Sequence, residues 1–266
     1  MIYFVSTPIG NLKDITLRAL DILREVDIIA CEDTRTSLAL LSKYEINKKL
    51  ISYHKFNEQE ASDKIIELER EGKNIAVISD AGMPGISDPG FILAKKLNEK
   101  NIPFTVLPGA NAGLTALLFS GFDSSRFYFV GFLPEKNADK NKIISEISTL
   151  KSSLIFYISS HNVEKDLEFL YQSLGARKAC LVKELTKVFE NKYHFTLGEK
   201  IEFNDKGEFV LIVEGNVNNF DEMSLIDHVK FYINLGISKK DAIKKVASER
   251  NISKNEVYKE VLNLKD

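Results

Sequence analysis

The sequence has 266 residues, of which 44% are hydrophobic and 28% are charged, and its formal net charge is −2. A chain of this length and composition can bury a sizeable core and favours two domains over one. It shows neither a basic leader with a small-residue cleavage site nor an apolar run of the roughly 18 residues that a membrane span needs, so we expect a cytoplasmic protein.

Short apolar runs rich in β-formers alternate with amphipathic segments through the first half. The predicted strands include "IYFVST", "DIIACED", "LISYH", "NIAVISD" and "FTVLPG". This βαβα order predicts an α/β domain with a parallel sheet, which we place at residues 1–123. One of its helices is expected to start at Asn57, because Asn57 and Glu60 have the spacing of a capping box.

Strands are denser in the next segment, where "RFYFVGFL", "SSLIFYIS", "KACLVKEL" and "EFVLIVEG" follow one another with few helices between them. This pattern predicts a second α/β domain with a mixed sheet at residues 124–215. The polar stretch "NVNNFDE" that follows has no apolar anchor and is predicted to be a linker.

The last stretch, residues 223–266, is predicted to form a small module of three helices. An apolar stripe marks the first helix, Gly236 ends it, and Ser238 and Ser253 begin the other two. From Met223 onward the chain carries a net charge of +3, against −5 before it. The module resembles a helix-turn-helix but has no Arg or Asn cluster for reading bases, which leaves an RNA- or ribosome-contacting module and a structural appendage open.

The cysteines and histidines give no sign of a metal site. Cys31 and Cys180 lie in or beside apolar runs of different halves, which favours reduced buried thiols over a disulfide. The four histidines have no ligand spacing with one another or with the cysteines, so we predict no bound metal.

Three loops rich in Gly and Pro follow three predicted strands of the first domain, at residues 6–12, 79–90 and 107–116. Ligands of open parallel sheets lie beyond the carboxyl ends of the strands, so these loops are expected to converge on one crevice. Neither a P-loop nor a G-x-G-x-x-G motif occurs, which favours a nucleoside-like ligand without a phosphate chain. Asp80 offers a carboxylate for its hydroxyl or ammonium groups.

Two charged segments are the candidates for chemistry. In "CEDTRTS", Asp33 or Thr34 can cap a helix beside Arg35, or else Glu32 and Asp33 can accept a proton while Arg35 holds a phosphate. In "KELTKVFE", Glu184 and Lys187 form either an ordinary ion pair or part of the site.

The motifs "TPIGNLKDIT", "CEDTR", "NEQ", "SDAG", "ISDPG", "GFLP", "KELTK" and "GEFVLIVEG" together resemble the tetrapyrrole (porphyrin/corrin) methylase family. They resemble in particular a branch that methylates a cytidine ribose 2′-oxygen in small-subunit ribosomal RNA. The resemblance implies a homodimer of two-domain α/β subunits that binds S-adenosylmethionine between the domains, acting on ribosomal RNA or an assembled small subunit.

The resemblance also assigns residues to the cofactor. It implies that the following positions bind S-adenosylmethionine: Pro8, Gly10, Asp80, Ala81, Gly82, Pro84, Gly109, Ala110 and Ala112. As hypotheses, Glu32 or Asp33 is the base, Arg35 and Lys187 position phosphates, and Glu184 orients Lys187. Two alternatives stay open: a methylase of small tetrapyrroles, and an inert ribosome-binding protein, which Met83 in place of the family's usual Thr would suit.

Overall fold

The computed structural model describes residues 1–216, 223–234 and 236–262. It contains two five-stranded sheets with helices and a group of C-terminal helices, which confirms the predicted fold class. Apart from Asn216, the predicted linker lies outside the described residues, and so does the chain end from residue 263. Within the described ranges, none of the helices has the length and apolar character to cross a membrane.

The first sheet is parallel throughout, with strand order β3-β2-β4-β1-β5. Helices cover both of its faces, so its central strands are buried on both sides and need the continuous apolar runs seen in the sequence. The strands are β1 (Ile2–Val5), β2 (Ile28–Cys31), β3 (Lys49–Ser52), β4 (Ile75–Val77) and β5 (Phe104–Leu107). The helices are α1 (Leu17–Glu25), α2 (Thr34–Lys43), α3 (Glu58–Arg70), α4 (Phe91–Glu99) and α5 (Ala112–Ser120), and a 3-10 turn spans Leu12–Asp14.

The second sheet is mixed, as predicted, with strand order β6-β7-β10-β8-β9. Its first pair is parallel and its other pairs are antiparallel. The strands are β6 (Phe127–Phe132), β7 (Ser153–Ile158), β8 (Lys178–Lys183), β9 (Asn191–Thr196) and β10 (Phe209–Val213). The helices are α6 (Asn137–Ile147) and α7 (Val163–Leu174), and a 3-10 turn spans Ser160–Asn162.

The C-terminal module contains α8 (Leu225–Asn234), α9 (Lys239–Glu249) and α10 (Lys254–Glu260). Ser238 and Ser253 cap α9 and α10 through their side chains, as predicted. The apolar stripe of α8 faces a small core of its own, in which Val229 and Tyr232 are fully buried. The module also touches the second half, since Lys245 Nζ donates to the Ser145 carbonyl at 2.6 Å.

Helix α5 joins the two halves, because it follows β5 of the first sheet in the chain and packs on the second sheet. The Gly113 N–H donates to the Tyr157 hydroxyl at 3.2 Å, and a Cβ added at Gly113 would lie 3.2 Å from Ile155. Lys192 Nζ donates to the Phe119 carbonyl at 2.7 Å. These contacts hold α5 against strands of the second sheet, and the loop that precedes α5 is held there with it.

The predicted capping box at Asn57 and Glu60 is wrong. Asn57 precedes α3, but its side chain makes no capping bond. Instead, its Oδ1 accepts from the His54 N–H at 2.8 Å and its Nδ2 donates to the Ser52 carbonyl at 3.2 Å. The side chain closes the turn that enters the helix, so it is not available to the helix N-terminus.

Candidate active site

The structure brings the three loops together, as predicted. Thr7 and Gly82 form an isolated antiparallel bridge, with N–O distances of 2.8 and 3.1 Å. The Ser6 hydroxyl donates to the Leu107 carbonyl at 3.1 Å. A Cβ at Gly109 would lie 2.5 Å from the Ser6 Cβ, so only glycine lets these two loops approach so closely.

The loop at residues 79–90 folds back on itself, and two of its glycines make this possible. Gly90 has φ +150°, and a Cβ there would lie 2.8 Å from the Gly85 nitrogen. The Gly85 N–H donates to the Pro89 carbonyl at 3.1 Å, which closes the fold. Glu58 fixes the loop's end, since its Oε1 accepts from the Gly90 N–H at 2.8 Å. The loop is therefore held in one shape before any ligand arrives.

A cavity of about 380 Å³, called the cleft below, lies between the two halves. This volume is typical of a small-molecule site. Loops of the first half form one wall, which includes Ile9, Ala81, Gly82, Met83, Ile86, Ser87, Asp88, Asn111 and Ala112. Strand ends and loops of the second half form the other, which includes Phe132, Tyr157, Ile158, Ser159, Ser160, Val182, Leu185, Gly207, Glu208, Phe209 and Val210.

Asp88 is the main ionisable group of the cleft that the sequence reading missed. Burial, together with the negative charges of Glu32 and Asp80, raises the pKa of Asp88 to about 7. The signal was present in the sequence, because Asp88 lies in the "ISDPG" part of the same loop. Nothing in that motif shows, however, that its carboxyl is close enough to Glu32 and Asp80 for their charges to raise its pKa.

A second cavity of about 310 Å³, called the side cavity below, adjoins the cleft and shares Ile9, Ala81 and Glu208 with it. Its other lining residues come mainly from the first loop and α2. They are Pro8, Gly10, Leu12, Thr36, Ser37, Ala39, Leu40, Ser79, Asp80 and Lys187. The wall thus combines hydroxyl groups, one carboxylate from each half and one ammonium group.

The segment "KELTK" forms a charged network above the first loop. Lys187 Nζ bonds Glu184 Oε1 at 3.0 Å, which is the predicted pairing, and also Glu208 Oε2 at 3.1 Å. Glu184 and Thr186 adopt left-handed backbone with φ +50° and +65°, a conformation that clusters at functional sites. A Cβ at Gly10 would lie 2.6 Å from the Lys187 side chain.

The segment "CEDTR" shows the capping arrangement for Asp33. Its carboxylate accepts from the Arg35 N–H at 2.8 Å and pairs with the Arg35 guanidinium at 2.8 Å. Hydrogen bonds from Arg35 lower the pKa of Asp33 to about 2. Burial, followed by the charge of Asp80, raises the pKa of Glu32. Glu32 is therefore the more basic of the two carboxylates.

The predicted cofactor residues separate into three groups. Ala81, Gly82 and Ala112 line the cleft, whereas Pro8, Gly10 and Asp80 line the side cavity, whose wall Ala81 shares. Pro84, Gly109 and Ala110 are described but lie outside both walls. Of these three, Gly109 packs on Ser6, and the Ala110 carbonyl lies 3.6 Å from a Cβ built on Gly82, so both support the loops.

Comparison with known proteins gives consistent matches. Residues 1–201 match the family described as Tetrapyrrole (Corrin/Porphyrin) Methylases. The chain is 41% identical over 268 residues to Ribosomal RNA small subunit methyltransferase I of Halalkalibacterium halodurans. This alignment covers 97% of this chain and 93% of that protein. The protein of the same name from Bacillus subtilis is 42% identical over 270 residues, with 97% and 92% covered.

Among solved structures, diphthine synthase has a similar fold. The TM-score is 0.67, with 82% of this chain and 91% of that chain covered. The two sequences are 16% identical, so this likeness concerns the architecture of the two sheets alone.

Proposed function

This chain belongs to the tetrapyrrole (corrin/porphyrin) methylase family, and on that premise we propose that it methylates small-subunit ribosomal RNA with S-adenosylmethionine as methyl donor. The relatives named Ribosomal RNA small subunit methyltransferase I match nearly its whole length, which supports this substrate. The motifs "TPIGNL" and "CEDTR" favour the finer assignment, a cytidine ribose 2′-oxygen as acceptor.

The observation that carries the proposal is the cleft between the two halves. Its apolar walls suit the flat adenine ring, and the exposed backbone at Ala81 is open to direct contact, whereas the Gly82 N–H and carbonyl are used in the bridge with Thr7. Asn111, Ser159 and Ser160 add polar groups, and Asp88 adds a carboxyl for an ammonium or hydroxyl group. S-adenosylmethionine supplies an electrophilic methyl group that needs no metal.

The side cavity is our proposed site for the acceptor nucleotide. It adjoins the cleft at Ile9 and Ala81, so a ribose there would lie next to the donor. Holding the two reactants side by side supplies much of the acceleration of a methyl transfer. Lys187 lines this cavity and offers its ammonium group to a phosphate.

We assign Glu32 as the base that takes the 2′-hydroxyl proton. Glu32 lies outside the linings given above for the two cavities, but its charge interacts with that of Asp80, which lines the side cavity. A carboxylate with a raised pKa accepts a proton more readily than one whose pKa is about 2, which disfavours Asp33. Arg35 is largely exposed and paired with Asp33, and we propose that it binds an incoming phosphate. Glu184 holds the Lys187 ammonium group in place.

The homodimer and the cytoplasmic location are also part of the proposal. Exposed apolar side chains support a second copy: Leu118 on α5 is 75% exposed, and Val188 and Phe189 after β8 are 93% and 77% exposed. Such side chains are typical of a surface that another subunit covers. The cytoplasm is where ribosomal RNA, the proposed substrate, is found.

The test is to incubate the protein with methyl-labelled S-adenosylmethionine and small ribosomal subunits from cells that lack this gene. We expect label in a single 2′-O-methylcytidine after digestion of the RNA. Label in another nucleoside would correct the acceptor. Binding of S-adenosylmethionine without any label would favour a tetrapyrrole substrate. Absence of a saturable binding heat with S-adenosylmethionine would favour an inert ribosome-binding protein, the alternative suggested by Met83 in the cleft wall.

Two variants test the base. Glu32→Gln should lower turnover by a factor of about 100, the lower range for loss of a general base, with little change in cofactor affinity. Asp33→Asn is the matched control and should retain most of the turnover. Normal turnover in Glu32→Gln would remove this residue from the mechanism.

A further inference from the structure

The carboxylate of Glu58 joins two segments of the first half that are distant in sequence. Glu58 is the first residue of α3, and its Oε1 accepts three hydrogen bonds. The donors are the Gly90 N–H at 2.8 Å, the Tyr53 hydroxyl at 3.1 Å and the Ile92 N–H at 3.3 Å. One side chain of α3 therefore holds the point at which the loop at residues 79–90 enters α4.

We propose that Glu58 is a positioning residue for the cofactor: it holds the Asp88 carboxylate where that group binds the ammonium group of S-adenosylmethionine. The inference rests on the proposed function, because it names the part of the cofactor that this wall of the cleft recognises. Glu58 is not among the described residues that line the cleft, whereas Asp88 is, so Glu58 acts on the cofactor through Asp88.

The contact satisfies the first turn of α4. Gly90 precedes this helix and has no side chain with which to cap it. The N–H groups at the start of a helix have no partner within the helix, and a carboxylate there offsets the positive end of the helix dipole. Glu58 brings this carboxylate from α3, so it fixes a turn that the local sequence leaves uncapped.

The chain between this contact and the cleft has little freedom. Only Pro89 separates Gly90 from Asp88. The Pro89 ring fixes its own φ, and its carbonyl accepts from the Gly85 N–H at 3.1 Å. On the other side of Asp88, Ser87 has left-handed backbone with φ +68°, a conformation that persists only where surrounding contacts hold it. We therefore expect the position of the Asp88 carboxyl to depend on the hydrogen bond at Gly90.

The surroundings of Asp88 favour a cationic ligand group. The described lining of the cleft contains no Lys, Arg or His. The charges of Glu32 and Asp80 raise the pKa of Asp88, and the Ser79 hydroxyl opposes them only in part. His54 acts on Glu32 and lies outside this lining. The cleft wall thus gives this carboxylate no cation, whereas the ammonium group of the cofactor would.

Glu208, the other carboxylate in the cleft wall, is a poorer candidate for the same group. It is exposed, and its Oε2 pairs with Lys187 Nζ at 3.1 Å. Its charge is therefore already offset by the protein and screened by solvent. Asp88 is half-buried, so of the two carboxylates it gains more from the positive charge of a ligand.

The test measures the affinities of two nucleosides by calorimetry. S-adenosylhomocysteine and 5′-methylthioadenosine share adenosine and an uncharged thioether, but only the first carries an amino-acid part with its ammonium group. Glu58→Ala should weaken binding of S-adenosylhomocysteine about tenfold, as expected when a hydrogen bond to a charged group is lost, and change that of 5′-methylthioadenosine less than about twofold. Glu58→Gln keeps an acceptor oxygen for the Gly90 N–H and should retain most of the affinity.

Two further variants test whether Glu58 acts through Asp88. Asp88→Asn should also weaken binding of S-adenosylhomocysteine about tenfold, and the double variant Glu58→Ala/Asp88→Asn should be about tenfold weaker as well, because both changes remove the same interaction. Asp63→Asn is the matched control. It removes a carboxylate from the same helix and breaks another contact between α3 and α4, the pair with Lys96 Nζ at 2.8 Å, and should bind both nucleosides as the parent protein does.

Three results would overturn the proposal. Equal losses for the two nucleosides in Glu58→Ala would mean that this residue only supports the fold of the cleft. Unchanged affinity for S-adenosylhomocysteine in either single variant would remove that residue from cofactor binding. A loss of about a hundredfold in the double variant would show that the two residues act separately. The methylation assay is independent of these results: a parent protein and variants with the expected affinities, but no labelled RNA, would contradict the proposed function alone.

Discussion

The two halves of the protein contribute to the cleft in different ways. The first half contributes, besides side chains such as Asp88, closely packed main chain that is held by glycines, as at Gly109 against Ser6. The second half contributes side chains, among them Tyr157 in the cleft wall and, in the adjoining side cavity, Lys187 with its two carboxylates. Main chain has no net charge, whereas each buried or half-buried ion needs a partner of opposite charge. We therefore expect the first half to be sensitive to volume and the second to the loss of a charge partner.

The largest effect is expected for the buried ion pair of the second half. Lys140 Nζ lies 2.7 Å from Asp166 Oδ1, and both side chains are almost fully buried. Lys140→Met leaves a buried carboxylate without its cation and should cost about 3–5 kcal/mol of the free energy of unfolding. Urea denaturation measures this loss.

Two controls show whether charge is the cause. Lys140→Met/Asp166→Leu removes both ions and should be much closer to the parent protein than the single variant is. Lys95→Met breaks an exposed pair of the first half and should cost less than about 0.5 kcal/mol. A single variant as stable as the double would contradict the assignment.

The next largest effect is expected in the first half, at Gly90. A Cβ there would lie 2.8 and 2.9 Å from backbone atoms of Gly85, which cannot move aside as a side chain can. Gly90→Ala should therefore cost about 3 kcal/mol and weaken cofactor binding, measured by calorimetry. Gly72→Ala is the matched control: its φ is +83° but nothing lies within 4 Å, so only about 1 kcal/mol of strain is expected. Equal costs at both positions would show that the fold of the loop is not rigid.

The difference between the halves also explains what the sequence could predict. Glycine and proline patterns indicate local backbone conformation, so they identified the three loops. The rule that ligand loops follow the carboxyl ends of parallel strands then predicted that the loops converge. Side-chain caps within one helix were equally visible at Ser238 and Ser253. Local rules failed at Asn57, where a turn and a helix compete for the same side chain.

Contacts between distant segments were the other limit. Glu58 accepts from the N–H of Gly90, 32 residues further along the chain, and no spacing rule reports such a bond. Glu208 likewise bonds Lys187, which lies 21 residues earlier in the chain. The sequence shows Tyr157 only as a residue of a predicted strand. The structure shows that it lines the cleft and accepts a hydrogen bond from the Gly113 N–H of the first half. Sequence therefore predicted the glycine-built wall well and the side-chain wall poorly.

Asp88 offers a pH test of the one carboxyl that the first half places in the cleft. Its pKa is raised to about 7 by burial and by the charges of Glu32 and Asp80, so the folded state binds this proton more tightly than the unfolded chain does. The stabilisation from this proton is complete below about pH 4 and is lost as the pH rises through 7. A rise of this pKa from 3.8 to about 7 corresponds to about 4 kcal/mol at full effect. Solvent screens this partly exposed carboxyl, so Asp88→Asn should gain about 2 kcal/mol over the parent protein at pH 8 relative to pH 4. Thermal unfolding at both pH values measures this gain, and an equal shift at both would contradict it.

The smallest effect on stability, together with a specific effect on substrate binding, is expected at Lys187. Its ammonium group is partly exposed between Glu184 and Glu208, so Lys187→Met should cost only about 0.5 kcal/mol of the free energy of unfolding. The variant leaves Glu208 in the wall of the proposed phosphate site, and Glu184 behind it, without their cation. The KM for ribosomal subunits should therefore rise at least tenfold while calorimetric binding of S-adenosylmethionine stays unchanged. Lys187→Arg keeps the positive charge and should recover much of the affinity. Equal KM values for the Met and Arg variants would mean that the charge of Lys187 does not bind the substrate. Lys187 would then serve only to pair with Glu184 and Glu208, and this part of the second half would have a structural role alone.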